Sequence, residues 1–125
     1  MSSKRMNDEW NIDFIRGIFI NKSRILKCIG ILSTKEGVIF DDVCMVATYN
    51  TYDDGDPERC EMDEVVLSKE FPGYPEELSY LKYNEFLNLI ENGLKEIVSQ
   101  FRKVEIEEIS EELVKAKSII KGNHY

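Results

Sequence analysis

Residues 53–57 read DDGDP and stand between two β-forming runs, VIFDDVCMVATYNTY (38–52) and RCEMDEVVLSKEF (59–71). Each residue type in that pentad favours a tight reversal for its own reason. Aspartate side chains accept hydrogen bonds from nearby backbone amides, Gly55 tolerates a positive φ, and Pro57 fixes φ near −65°. A reversal this polar cannot be buried, so it predicts a solvent-facing hairpin tip and an antiparallel pair behind it.

The same reading extends upstream. EWNIDF alternates Trp10, Ile12 and Phe14 with polar residues, IFI follows, and the turn-like triplet NKS precedes RILKCIGIL, which predicts a first hairpin. Trp10, Phe14 and Ile18 also share a helical face, but Gly17 and the β-branched content favour strands. STKEG then supplies a turn with Gly37 available for positive φ, and a bend near Asp41 and Asp42 is expected within the next strand. Four strands joined by short connections predict an antiparallel meander.

Composition changes at FPGYPEELSY, where Pro72, Gly73 and Pro75 predict a linker over 71–82. From Asn84, read as an N-cap, Phe86, Leu87, Ile90, Leu94, Ile97, Val98 and Phe101 fall on one helical face. Gly93 inside this helix is expected to mark a close approach to the sheet. A last helix is predicted to start at Ser110 and stop at Gly122. The expectation is therefore a single α+β domain over 1–125: a disordered tail at 1–8, a β-rich part at 9–70, a linker at 71–82 and a helical part at 83–122. The two C-terminal helices would pack on one face of a meander of about four strands.

Charge narrows the function. The chain carries −8 overall, but residues 1–40 are net +3, residues 41–77 net −10 and residues 78–125 net −1. A protein that binds nucleic acid without sequence preference needs a positive surface to displace counterions, so direct nucleic-acid binding is not expected. No apolar run approaches the roughly 18 residues that cross a bilayer. The N-terminal residues show basic side chains without an apolar segment behind them, and a cytoplasmic location without membrane contact is expected.

Catalytic and metal motifs are not met. Cys28, Cys44 and Cys60 form no C-x-x-C pair and read as buried free thiols; with His124 the only histidine, a four-ligand zinc site is not expected. Setting Gly55 at the sixth position of a calcium loop puts Asn50 first, Asp54 fifth and Glu61 twelfth. However, Tyr52 occupies the third ligand position and Pro57 the eighth. A Cys or Ser nucleophile would need a nearby base, which His124 near the chain end does not supply, and no glycine-rich phosphate loop is present. The expectation is a non-enzymatic protein with no cofactor and no bound metal.

What stands out is the stretch from 48 to 64, with seven acids (Asp53, Asp54, Asp56, Glu58, Glu61, Asp63, Glu64) and one base, Arg59. Tyr49 and Tyr52 flank its start, and tyrosine suits interfaces because it offers a large rigid surface with a polar end. Carboxylates facing a basic partner speed encounter and repel wrong partners. These nine residues are the candidate partner-binding set. In acidity and size, with no motif involved, the chain resembles the immunity proteins of bacterial toxin–immunity pairs. That likeness implies an inhibitor of a basic protein such as a nuclease toxin. Two alternatives use the same stretch: a phage-type anti-defence inhibitor or nucleic-acid mimic, and a small enzyme or metal-dependent protein built on the acidic hairpin.

Overall fold

The computed structural model describes residues 4–122. Two helices open the chain, α1 (Asp8–Ile18) and α2 (Lys22–Thr34). Four strands follow, β1 (Val38–Ile39), β2 (Cys44–Thr48), β3 (Glu64–Lys69) and β4 (Glu77–Lys82), and then α3 (Tyr83–Ile97) and α4 (Lys103–Lys121). The sheet is antiparallel in the order β1-β2-β3-β4, so the chain is an α+β domain built on a four-stranded meander. No helix among the described residues is long and apolar enough to cross a membrane.

The meander is made of other segments than the sequence pattern indicates. The segment expected as the first hairpin is instead the helix pair α1 and α2 joined by a turn at 19–21, and the 9–70 part is not β-rich throughout. The reason is local. Asn7 accepts a hydrogen bond from Trp10 N (2.8 Å) and Asn21 one from Arg24 N (2.9 Å), so each caps a helix, and NKS is a helix start instead of a hairpin turn. The helical face Phe14, Ile15 and Ile18 is buried, while Ile12, which a strand would place inside with Trp10 and Phe14, is 38 % exposed.

A second correction concerns the expected linker. Residues 77–82 form β4, paired along the whole of β3 from Glu64↔Lys82 to Lys69↔Glu77. The bend at Asp41 and Asp42 is a full reversal between β1 and β2, held by Asp41 Oδ1 accepting from Val43 N and Cys44 N (both 2.8 Å). Nor are residues 4–8 a loose tail; residues 1–3 lie outside the described part. Tyr80 N donates to Lys4 O (2.8 Å) and Met6 N to Ser79 Oγ (3.0 Å), which lays the segment along the free edge of β4. Asn11, fully buried in α1, completes this joint: its Nδ2 donates to Met6 O (3.0 Å) and its Oδ1 accepts from Ser79 Oγ (2.7 Å).

Alternation along the strands sorts two faces. Val46, Val65, Leu67 and Leu81 join Phe14, Ile18, Ile25, Leu32, Phe86 and Ile90 in the main core, so one sheet face meets the helices. Ala47 and Val66, with Met45, Leu78 and Tyr80, belong to a second, smaller cluster on the opposite face. The helical side is built from four helices, with α3 against β3 and β4 and α4 lying mainly along α2. Gly93 does mark a close approach, but to α1: a Cβ there would sit 3.2 Å from Ile15 Cγ2 and Phe19 Cε2. Helix α3 starts at Tyr83, one residue before Asn84, with Lys82 N donating to Glu85 Oε1 (3.0 Å). Helix α4 starts at Lys103, with Arg102 N donating to Glu105 Oε1 (3.0 Å), so Ser110 is interior to it; Gly122 caps its end as expected.

Candidate functional site

The acidic stretch is the connection between β2 and β3, at the tip of their hairpin. It begins as a single 3-10 turn, Tyr49–Thr51, fastened to the end of α2: Thr48 Oγ1 donates to Lys35 O (2.7 Å) and Asn50 Nδ2 to the same carbonyl (3.3 Å). The loop then turns twice, with Asp56 N bonding Asp53 O and Arg59 N bonding Asp56 O (both 3.1 Å). Gly55 takes φ +84°, the left-handed geometry anticipated for it, and Asp56 Oδ1 accepts from Glu58 N (2.8 Å).

Instead of projecting as a free finger, the loop folds back over the outer sheet face. Buried Cys60 packs with Ala47 and Val66, and half-buried Tyr49 and Tyr52 pack beside them. Arg59 is the principal brace. Its guanidinium lies 3.5 Å from the centre of the Tyr49 ring, its Nε donates to Tyr49 O (3.1 Å), and its Nη1 pairs with Asp54. From β4, Tyr80 Oη donates to Glu58 O (2.6 Å), and Lys82 Nζ pairs with Asp63 (3.1 Å) and reaches Glu64 (3.9 Å).

The nine candidate residues therefore divide. Asp53, Asp54, Glu58 and Glu61 are exposed and Asp56 is half-buried, all on the described loop. Among the described residues, Asp53, Asp56, Glu58 and Glu61 have no cation within 4.0 Å, whereas Asp54 is paired with Arg59. Glu64 does not belong to a contact surface: it is 5 % exposed, it opens β3, and its Oε1 accepts from Glu61 N (2.9 Å). Asp63 is likewise engaged internally through Lys82 and through its carbonyl, which accepts from Tyr83 N (2.8 Å). Tyr49 and Tyr52 serve as internal props of the loop, not as free anchors.

Antiparallel pairing also divides the −10 of residues 41–77. Asp41, Asp42, Glu70, Glu76 and Glu77 lie at or beyond the Cys44↔Lys69↔Glu77 end of the sheet, opposite the loop. The residue that sequence reasoning passed over is Lys82; Cys60, expected as a buried free thiol, is one and packs beneath the loop. The one legible clue was Arg59, an isolated cation among acids.

Burial, aided by Glu64, pushes the Cys60 thiol up to about 12, so it is not a thiolate at neutral pH. Burial likewise raises the Tyr52 and Tyr80 phenols, with the neighbouring Tyr80 hydroxyl adding for Tyr52 and Glu58 for Tyr80. The hydrogen bond to Asp63 raises Lys82, which keeps its ammonium charged. Cys28 and Cys44 are buried and free, and burial raises both. Among the described residues, no three Asp, Glu, Cys or His side chains converge closely enough to hold a metal ion. His124 lies outside the described residues. In comparisons with protein-family models, curated proteins and solved structures, the chain matches none.

Proposed function

We propose that this protein is a non-enzymatic binding protein that inhibits a basic partner, such as a nuclease toxin, through the loop at the tip of the β2–β3 hairpin. One observation carries the reading: Asp53, Asp56, Glu58 and Glu61 have no cation within 4.0 Å among the described residues, on a loop that Arg59, Tyr80 and Lys82 hold in shape. A braced anionic loop loses little conformational entropy on binding, and its field raises the encounter rate with a cationic surface. The contact set is accordingly Asp53, Asp54, Asp56, Glu58 and Glu61, with Tyr49 and Tyr52 as props.

The test compares wild type with the fourfold variant Asp53→Asn, Asp56→Asn, Glu58→Gln, Glu61→Gln in parallel pull-downs from the source cell. The expected partner is a protein of high isoelectric point, retained by wild type, released as salt rises, lost with the variant and inhibited stoichiometrically when both are purified. At low salt the variant should associate about tenfold more slowly or worse. A basic protein retained equally by both forms, or retention indifferent to salt, would refute the loop as the binding surface.

A further inference from the structure

A cleft on the helical side, remote from the acidic loop in the fold, has a different chemistry. Helix α3 ends in a 3-10 turn (Val98–Gln100), Phe101 is extended (φ −110°, ψ 151°), and α4 then starts at Lys103. Because α4 lies mainly along α2, the joint between α3 and α4 is left open. Leu94, Val98, Phe101, Ile106, Ile109 and Leu113 line a partly enclosed cavity of about 240 Å³ there. Val98 is 44 % exposed at its wall.

Size and charge limit what this cavity can take. An apolar cavity of about 150 Å³ holds one benzene ring, so 240 Å³ holds about ten carbon-sized atoms. An α-helix, about 10–12 Å across with its side chains, does not fit, nor does a protein face of about 800 Å². The polar residues among those lining it are Glu91, Lys95 and Ser110. Glu91 is neutralised by Lys117 (2.9 Å), whereas Lys95 is exposed and, among the described residues, has no carboxylate within 4.0 Å. In a chain of net charge −8, the mouth of this mainly apolar cleft thus carries one positive charge without a carboxylate partner among the described residues. We infer that the α3–α4 cleft is a binding site for a medium-chain carboxylate, with an alkyl chain of about eight to ten carbons in the cavity and its head group at Lys95 and Ser110.

Decanoate below its micellar concentration is the probe, followed by amide chemical shifts of the whole protein. The expected result is saturable single-site binding with shifts confined to residues 91–113. Decanoate should bind more tightly than decanol. Lys95→Gln, an exposed substitution that leaves packing intact, should weaken decanoate about fivefold and leave decanol unchanged. Ile106→Trp, which fills the cavity, should abolish binding of both. Absence of saturation, shifts spread over the whole chain, or equal decanoate affinity in Lys95→Gln would overturn the assignment. Co-sedimentation with phosphatidylglycerol vesicles, with decanoate unbound in solution, would overturn it in favour of a membrane surface; the free acid as ligand predicts no co-sedimentation.

Discussion

Replacing Arg59 by alanine should release the acidic loop from the sheet, and the size of the effect follows from three contacts. The cation over the Tyr49 ring at 3.5 Å, on a side chain only 18 % exposed, contributes about 1–2 kcal/mol. The charged Nε–H bond to Tyr49 O contributes about 1.5 kcal/mol or more, part of which water restores once the side chain is gone. The Asp54 pair adds little, since Asp54 is 96 % exposed. The expected loss is about 2 kcal/mol, read as a lower urea midpoint with an unchanged slope. Arg59→Lys should recover only part of it, because one ammonium cannot stack on Tyr49 while bonding both its carbonyl and Asp54. Amide hydrogen exchange separates local from global effects. The Asp56 and Arg59 amides, bonded within the loop, should exchange faster in the variant by more than those of β3. Added salt should restore stability to Arg59→Ala more than to wild type, because Asp53, Asp54, Asp56, Glu58 and Glu61 then repel one another with no cation left among them in the loop. An unshifted midpoint together with unchanged loop exchange would refute the bracing role and remove the main reason for treating the loop as preorganised.

Three further outcomes are expected. Gly17→Ala should stabilise by about 0.5–1 kcal/mol in thermal or urea melts, since a Cβ there meets nothing within 4 Å, while Gly93→Ala should lose that gain or more against Ile15 and Phe19. Asn11→Leu should cost about 2–3 kcal/mol by leaving Met6 O and Ser79 Oγ short of partners; a double-mutant cycle with Ser79→Ala should show coupling above about 0.5 kcal/mol, and additivity would contradict the buried network. Asp41 is held below the usual aspartate range, first by the Val43 amide and then by the Cys44 amide. Its folded-state value being depressed, its stabilisation is complete above about pH 4 and is lost as pH falls through the folded value. Asp41→Ala should therefore cost about 1 kcal/mol at neutral pH, while Asp41→Asn keeps the turn and flattens the acid limb of the stability profile measured by urea titration.

Much of the candidate loop was legible because its determinants are local. Two β-forming runs around DDGDP gave an antiparallel hairpin with its charge at the tip, and Gly55 adopts the positive φ expected of it. The division of the acids was not legible: whether a carboxylate faces solvent depends on where a cation from another strand falls. Lys82 comes to Asp63 and Glu64 only through the register of β3 with β4. Residues 77–82 were hidden for a related reason. ELSYLK follows Pro72, Gly73 and Pro75, which read as a linker, yet β3 needs a partner for the backbone groups on its second edge.

The N-terminal residues mark the same boundary between local and long-range causes. Trp10, Phe14 and Ile18 satisfy both a helical and an alternating pattern, and propensity differences of a few tenths of a kcal/mol per residue do not choose between them. The choice was made by long-range contacts, the burial of Phe14, Ile15 and Ile18 against the rest of the core and the seating of Asn11 between Met6 and Ser79. The sequence alone therefore determined the mixed class, the antiparallel hairpin and its acidic tip, the C-terminal helices and the dearth of catalytic motifs, all of which follow from neighbours along the chain. Tertiary structure decided which ambiguous segments became helices, which acids remained exposed and where an apolar cleft stayed open, because each depends on partners distant in sequence.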